Sequence, residues 1–237
     1  MRVIPEVCNP LDNKLLAALP PEDYDRLLPH LETVELGMRE SIYEPYQPMR
    51  YVYFPSIGVA SLLTVMKNGK AAEVGLVGNE GMAGLPLFLG ADISTGQAFW
   101  QVPGQAARMN AEVFKEATQQ SEALRTLLLR YTQALFTQVA QSAACNRLHS
   151  TEQRLSRWLL MTYDRVQLEE FPIKQDFLAA MLAVRRASIT EAAGALQAQG
   201  LIHQGRGKIA IVDVKGLEQA ACECYQVIKE EYARLLG

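Results

Sequence analysis

KQDFLAAMLAVRRASITEAAGALQAQGLIHQGRGKIAIV, residues 174–212, decides the reading of this chain. Lys174 to Leu182 predicts a short helix with Phe177, Leu178 and Met181 on its buried side. Ala183-Val184 then makes a tight connection. Arg185 to Gln199 predicts a second helix, with Ile189, Ala192, Ala193 and Leu196 facing inward at i, i+3, i+4 and i+7. Gly200 stands where a helix C-terminus takes a left-handed residue. Two short strands follow around Gly205-Arg206-Gly207. Helix, tight turn, helix and β-hairpin is the layout of a winged helix-turn-helix.

With Ile189 and Ala192 inside, Arg185, Arg186, Ser188 and Thr190 fall on the outward, N-terminal part of the second helix. Guanidinium forks there suit guanine O6 and N7, and hydroxyls suit bases or phosphates. Lys174 and Gln175 at the start of the first helix, with Arg206 and Lys208 in the wing, suit phosphate oxygens. Residues 171–213 hold five basic side chains against three acidic ones, inside a chain whose net charge is -3. Positive charge is therefore concentrated where a duplex would lie, and double-stranded DNA is the expected partner.

The rest of the chain is bounded by its composition. Of 237 residues, 49% are apolar and 21% charged, which suits one large or two modest folded domains and not a disordered chain. The N-terminus, MRVIPEVCNPLDN, lacks the apolar run of a signal peptide, and no stretch has the length of a membrane span. A cytoplasmic protein without membrane contact is expected. Cys8, Cys145, Cys222 and Cys224 form no C-x-x-C pair, and a reducing compartment disfavours disulfides. On a helix, Cys222 and Cys224 would point about 200° apart. His149 and His203 show no metal-ligand spacing with each other or with the cysteines, and His30 stands alone. The expectation is no metal and no cofactor. No nucleophile–base pairing, H-E-x-x-H or Walker loop marks an enzyme.

Upstream, residues 13–19 and 20–30 predict short helices, the second opened by Pro20-Pro21 and acidic Glu22 and Asp23. From Glu32 to Pro103, short β-branched and aromatic runs alternate with Pro and Gly, the texture of a β-sandwich or roll. Asn68-Gly69 between two such runs predicts a two-residue hairpin turn. From Asn110, nearly forty residues without Pro or Gly predict one long helix. Leu124, Leu128, Tyr131, Leu135 and Val139 form its apolar stripe, read as a homodimer seam. The alternative is that this stripe packs against its own domain. Ser150 and Gln153 match a capping box opening the next helix, and mark a domain boundary.

On these segments the chain resembles the Crp/Fnr family of bacterial transcription regulators over nearly its whole length. The motifs that carry the likeness are KQDFLAAMLAVRRASITEAAGALQAQGLI and the hinge-like CNRLHSTEQRLSRWLL. The implied fold is α+β. A cyclic-nucleotide-binding-like β-roll with N-terminal helices spans 1–109, a long dimerisation helix 110–148, and a winged helix-turn-helix 149–237. By the same likeness Arg186 falls on the family's guanine-reading arginine and Ser188 on a phosphate contact. Ala187 replaces a glutamate that reads cytosine in many members, so an altered base preference is expected.

Members that bind cyclic AMP carry a Gly-Glu-Leu carboxylate and an Arg-Ser or Arg-Thr in the β-roll. Here Gly81-Met82-Ala83 occupies the first place and Gly96-Gln97 falls near the second. No Lys or Arg lies between Lys70 and Arg108. A cyclic phosphate would lose its charge-assisted bonds there, so the glycines read as turn residues. The iron–sulfur members' N-terminal cysteine cluster is reduced to Cys8. The expected function is a homodimeric, sequence-specific DNA-binding regulator that does not respond to cyclic AMP and whose effector is unassigned. The alternative is a ligand-sensing β-roll acting through protein contacts, such as with RNA polymerase, with weak or conditional DNA binding.

Overall fold

A computed structural model describes residues 9–205 and 207–237. Cys8 and Arg206 lie outside the described residues. In chain order the elements are α1 (Lys14–Ala17), α2 (Pro21–Leu27), β1 (Glu32–Leu36), β2 (Ser41–Tyr43), β3 (Tyr51–Val65), β4 (Ala71–Val77), α3 (Leu85–Phe88) and β5 (Gln97–Asn110). They continue with α4 (Ala111–Gln120), α5 (Glu122–Leu148), α6 (Thr151–Val166), β6 (Glu170–Phe171), α7 (Gln175–Met181), α8 (Arg186–Ala198), β7 (Ile202–Gly205), β8 (Lys208–Ile211), α9 (Val214–Ala220) and α10 (Cys224–Leu236). An N-terminal antiparallel sheet, a long helix and a C-terminal helix-turn-helix make up the α+β fold. Two compact units form: one from residues up to Leu62, Val77–Gln133 and Leu235–Gly237, the other from Leu63–Leu76 and Ala134–Arg234.

In the first unit β1 runs antiparallel to β5, from Glu32 opposite Arg108 to Leu36 opposite Gly104. The five-stranded sheet has the order β1-β5-β3-β4, with β2 also on β5. The runs that read as separate short strands are thus continuous, 15 residues in β3 and 14 in β5. Glycine makes this possible where the two strands approach. A Cβ on Gly104 would lie 2.0 Å from the Ile57 carbonyl oxygen, and Gly58 adopts φ +96° with Val102 O 2.6 Å from its would-be Cβ. Trp100, fully buried, centres a core with Leu36, Tyr53, Ala60 and Ala106. Asn13 caps α1 by accepting from the Leu15 and Leu16 N–H groups, and its amide donates to Pro55 O (2.9 Å) and Gly81 O (2.8 Å). One buried side chain thereby satisfies a helix start, a carbonyl within β3 and a carbonyl in the loop after β4.

The predicted forty-residue helix is broken. Ser121 is extended (φ -113°, ψ 110°), and its hydroxyl accepts from the Leu124 N–H at 3.0 Å. A serine that caps competes successfully with helix continuation even without Pro or Gly. Asn110 likewise caps α4.

In the second unit, the β3–β4 connection differs from the predicted two-residue turn. Gly69 N–H donates to Met66 O, Met66 N–H donates to Lys70 O, and Gly69 sits at φ +78°. This is a type I turn followed by a left-handed glycine, the three-residue hairpin loop. Ser150 and Gln153 form the capping box that opens α6. α6 packs against α8 and α9. Its Trp158 indole donates to Glu73 at 2.8 Å. β6, β8 and β7 make a three-stranded sheet, so the wing hairpin gains a strand whose two residues carry no periodic signal.

Candidate nucleic-acid interface, ligand cassette and thiol cluster

Leu178, Ala179 and Met181 of α7 are buried and Phe177 is half-buried; Lys174 is the residue before the helix, not its first turn. The connection is tight because Ala183 takes φ +50° and the Val184 N–H donates to Ala179 O at 3.0 Å. A left-handed alanine costs roughly 1–2 kcal/mol, while glycine adds about 0.4–1 kcal/mol of unfolded-chain entropy. Ala183→Gly is therefore expected to raise stability by up to ~1 kcal/mol in denaturant melts; a lower stability would contradict the strain assigned to this turn.

Arg185 stands at the N-cap position of α8 without a side-chain capping bond, and Arg186 begins the helix. Ile189, Ala192, Ala193 and Leu196 are all buried, as the spacing predicts. At the far end Gly200 N–H donates to Gln197 O and Leu201 N–H to Leu196 O, with Gly200 at φ +74°. This is a Schellman motif, and it fixes where β7 starts. The buried quartet leaves Arg185, Arg186, Ala187 and Thr190 exposed and Ser188 half-buried.

Lys174, Gln175, Arg186 and Lys208 share an open groove of about 490 Å3 with Asp176 and Gln204. A chain of hydrogen bonds runs across it. Thr190 Oγ1 donates to Gln175 Oε1 (2.9 Å), Gln175 Nε2 donates to Gln204 Oε1 (2.8 Å), and Gln204 N–H donates to Gln197 Oε1 (2.7 Å). Two of the predicted cations are already paired: Arg186 Nε lies 3.3 Å from Asp176, and Lys208 Nζ 2.6 Å from Glu170. All four side chains are more than half exposed, so each pair is worth at most about 1 kcal/mol and leaves its cation open to exchange. Sequence reasoning missed Gln204, Glu170 and the pairing role of Asp176. The acidic residues were visible, but their partners are distant in sequence or set by the turn.

The cassette residues face inward. Met82 and Ala83 are buried. Tyr131 Oη donates to Met82 O at 2.9 Å, Ala83 N–H donates to Tyr53 O at 2.8 Å, and Gly81 N–H to Gly78 O at 3.1 Å. The N–H groups of Gly81 and Ala83, which a phosphate cradle would need free, are thus committed within the fold. Gly96 N–H donates to Ser94 Oγ, and the Gln97 amide donates to the Glu44 carboxylate at 2.9 Å, a neighbour that repels anions. Glycine at 81 has a packing reason, since a Cβ there would lie 2.5 Å from the Tyr131 ring. Gly81→Ala is expected to destabilise by ~1–3 kcal/mol in thermal or urea unfolding, and a neutral effect would contradict the contact.

The helix stripe requires a correction. Leu124, Leu128, Tyr131 and Leu135 are buried within the single chain, and Val139 is half-buried, so they are not a free seam. Every amphipathic helix gives its most apolar stripe to the nearest core, and here the chain's own domain claims it. The exposed face of α5 carries Leu129 (52% exposed), Phe136 (67%), Gln133, Ala140 and Ala143, spaced i, i+7, i+4, i+11 and i+14.

The expectation that Cys222 and Cys224 point apart on one helix also fails. α9 ends at Ala220 and α10 begins at Cys224, so Cys222 lies in the link between them and its thiol is not held on the opposite side from Cys224. Cys145, His149, Cys222 and Cys224 bring their donor atoms within 4.8 Å of one another. Cys145 Sγ is 3.4 Å from Cys222 Sγ, and Cys224 Sγ is 3.7 Å from His149 Nδ1. The hydrogen bond from Cys222 holds the Cys145 thiol well below its ordinary range, with the Arg157 guanidinium acting the same way; that bond and burial push Cys222 up. The signal was available as Cys-x-x-x-His together with Cys-x-Cys.

Residues 153–220 match the family model described as a Crp-like helix-turn-helix domain. No curated protein matches the chain in sequence. Among solved structures it is similar to FixK2 from Bradyrhizobium japonicum, with 14% identity over 81% of this chain and 98% of that one and a TM-score of 0.68. It is similar to CLP, a c-di-GMP responsive global regulator of Xanthomonas campestris, with 17% identity over 81% and 99% of the chains and a TM-score of 0.65. A transcriptional regulator of the CRP/FNR family from Thermus thermophilus shares 21% identity over 80% and 98%, with a TM-score of 0.61. Residues 153–220 are thus a Crp-like helix-turn-helix domain, and the chain as a whole shares the fold of these regulators.

Proposed function

We propose that the protein is a homodimer that reads a pseudo-palindromic DNA site with two copies of α8, and that its N-terminal β-domain does not take cyclic AMP. The observation that carries this reading is the exposed Arg185–Thr190 turn, set over a fully buried apolar quartet beside Lys174 and Lys208. Arg186, with Arg185, reads base edges; Ser188 and Thr190 bond bases or phosphates; Lys174, Gln175, Arg206 and Lys208 hold the backbone. The opposite copy packs on the Leu129–Phe136 face of α5, which replaces the stripe first assigned to the seam. In this scheme residues 1–109 are the sensor, 110–148 the dimerisation segment and 149–237 the DNA-binding domain. The committed Gly81 and Ala83 N–H groups and the Glu44 carboxylate support the lack of a cyclic nucleotide.

Selection of bound genomic fragments, with and without cyclic AMP, tests both parts. The expected result is one inverted-repeat motif, its half-sites ~34 Å apart centre to centre, recovered equally in both arms. Absence of any motif would overturn sequence-specific reading, and a motif recovered only with cyclic AMP would overturn the ligand reading.

A further inference from the structure

The cluster formed by Cys145, His149, Cys222 and Cys224 lies outside the residues assigned to DNA contact, and its chemistry points elsewhere. We propose that these four side chains form a tetrahedral site for Zn2+, three thiolates and one imidazole nitrogen around a single ion.

The geometry supports this first. Zinc bound by sulfur at about 2.3 Å and nitrogen at about 2.0–2.1 Å places its donors roughly 3.6–3.8 Å apart. The two separations at the cluster, 3.4 Å between sulfurs and 3.7 Å between Cys224 Sγ and His149 Nδ1, lie close to that spacing. All four donor atoms lie within 4.8 Å of one another, too close for the spread of thiolates around a multi-iron cluster. Three of the four side chains are buried and the fourth half-buried, which suits a closed structural site.

The histidine is held for ligation. Its Nδ1 faces Cys224, while Nε2 lies 3.1 Å from the Glu223 carboxylate. A carboxylate on the far nitrogen takes the N–H there and leaves the near nitrogen's lone pair for a metal.

Charge gives the third, independent argument. Zn2+ with three thiolates carries a net charge of about -1. Arg157, 5% exposed, donates only to the Ser142 hydroxyl and the Met161 sulfur, and its Nε has no partner. Among the described residues no carboxylate pairs with it. A buried guanidinium without an anion is costly, and an anionic metal–thiolate centre would supply one. Loading is balanced by release to solvent of the protons still held on the cysteine thiols. No electron transfer is involved. The bound ion would tie the end of α5 to the α9–α10 link, across which these ligands are drawn from distant parts of the sequence.

The test uses the full chain, purified with reductant and without chelator. Elemental analysis is expected to return about one zinc per chain, and Co2+ in its place to give the visible bands of a tetrahedral thiolate site. Cys145→Ser and Cys224→Ser should each lower retained zinc at least tenfold. Because a serine in the core can also cost folding, Glu223→Gln is the companion: its side chain is mostly exposed, so the fold is kept while zinc affinity falls roughly 10–100-fold in a chelator competition. Failure of the reduced wild type to retain zinc after dialysis against micromolar Zn2+ would overturn the proposal. So would unchanged affinity in Glu223→Gln, or a Cys145–Cys222 disulfide, lighter by two hydrogens, in place of bound metal.

Discussion

Leu128→Glu is expected to unfold the N-terminal unit, whereas Phe136→Glu is expected to give a folded monomer. Both residues lie on α5 and both are large and apolar, but Leu128 is fully buried and Phe136 is 67% exposed. A carboxylate forced into the first position loses its hydration without a built partner, at several kcal/mol, against a total stability of about 5–15 kcal/mol for a domain. At the second position the free chain tolerates the charge, and two copies facing each other across a seam repel. Thermal unfolding by circular dichroism together with sedimentation separates the cases. Leu128→Glu should lose its cooperative transition. Phe136→Glu should keep it, sediment at half the wild-type mass, and bind its DNA site at least ~100-fold more weakly because the second half-site no longer comes linked to the first. A folded monomer from Leu128→Glu, or a Phe136→Glu variant that sediments as wild type, would contradict this assignment of faces.

Arg186→Ala is expected to weaken binding to the selected site by roughly 5- to 150-fold per half-site, about 1–3 kcal/mol, and to erase the preference for one G·C pair in each half. Its guanidinium stands 67% exposed at the first turn of α8, paired only loosely with Asp176, so it is free to exchange that carboxylate for a base edge. Lys208→Ala is the control. It should weaken all sequences alike and reduce the salt slope by at most about 0.9, and by less to the extent that the freed Glu170 takes up a cation. Anisotropy titrations on the selected site and on single-base variants distinguish the two. Equal loss on every variant in Arg186→Ala would assign that arginine to phosphate.

The helix-turn-helix was legible because its evidence is local. Ile189, Ala192, Ala193 and Leu196 follow a 3.6-residue period, and Gly200 marks the end of the helix they define. Ser150 and Gln153 are likewise three residues apart and answer to one short rule. What escaped was decided over longer distances. Ser121 breaks the helix through its own side chain, at a position where composition alone gave no breaker. The β3 and β5 strands run through their glycines because the partner strand leaves room for nothing larger. The choice between two faces of α5 belongs to the core that covers one of them. Among candidate site residues, the exposed positions at the start of α8 were legible and the countercharges Glu170 and Asp176 were not, since a carboxylate declares its partner only after the turn and the wing have closed.

Those two carboxylates change what a salt titration will count. When a phosphate takes Lys208 or a base takes Arg186, the abandoned Glu170 or Asp176 is left bare and gathers a cation of its own. Each such uptake offsets one of the ions shed by the duplex. A slope measured for the proposed complex is therefore expected to under-count the contacts by up to one for each pair that opens, so a shallow slope would fit an exchange of partners as well as a small footprint.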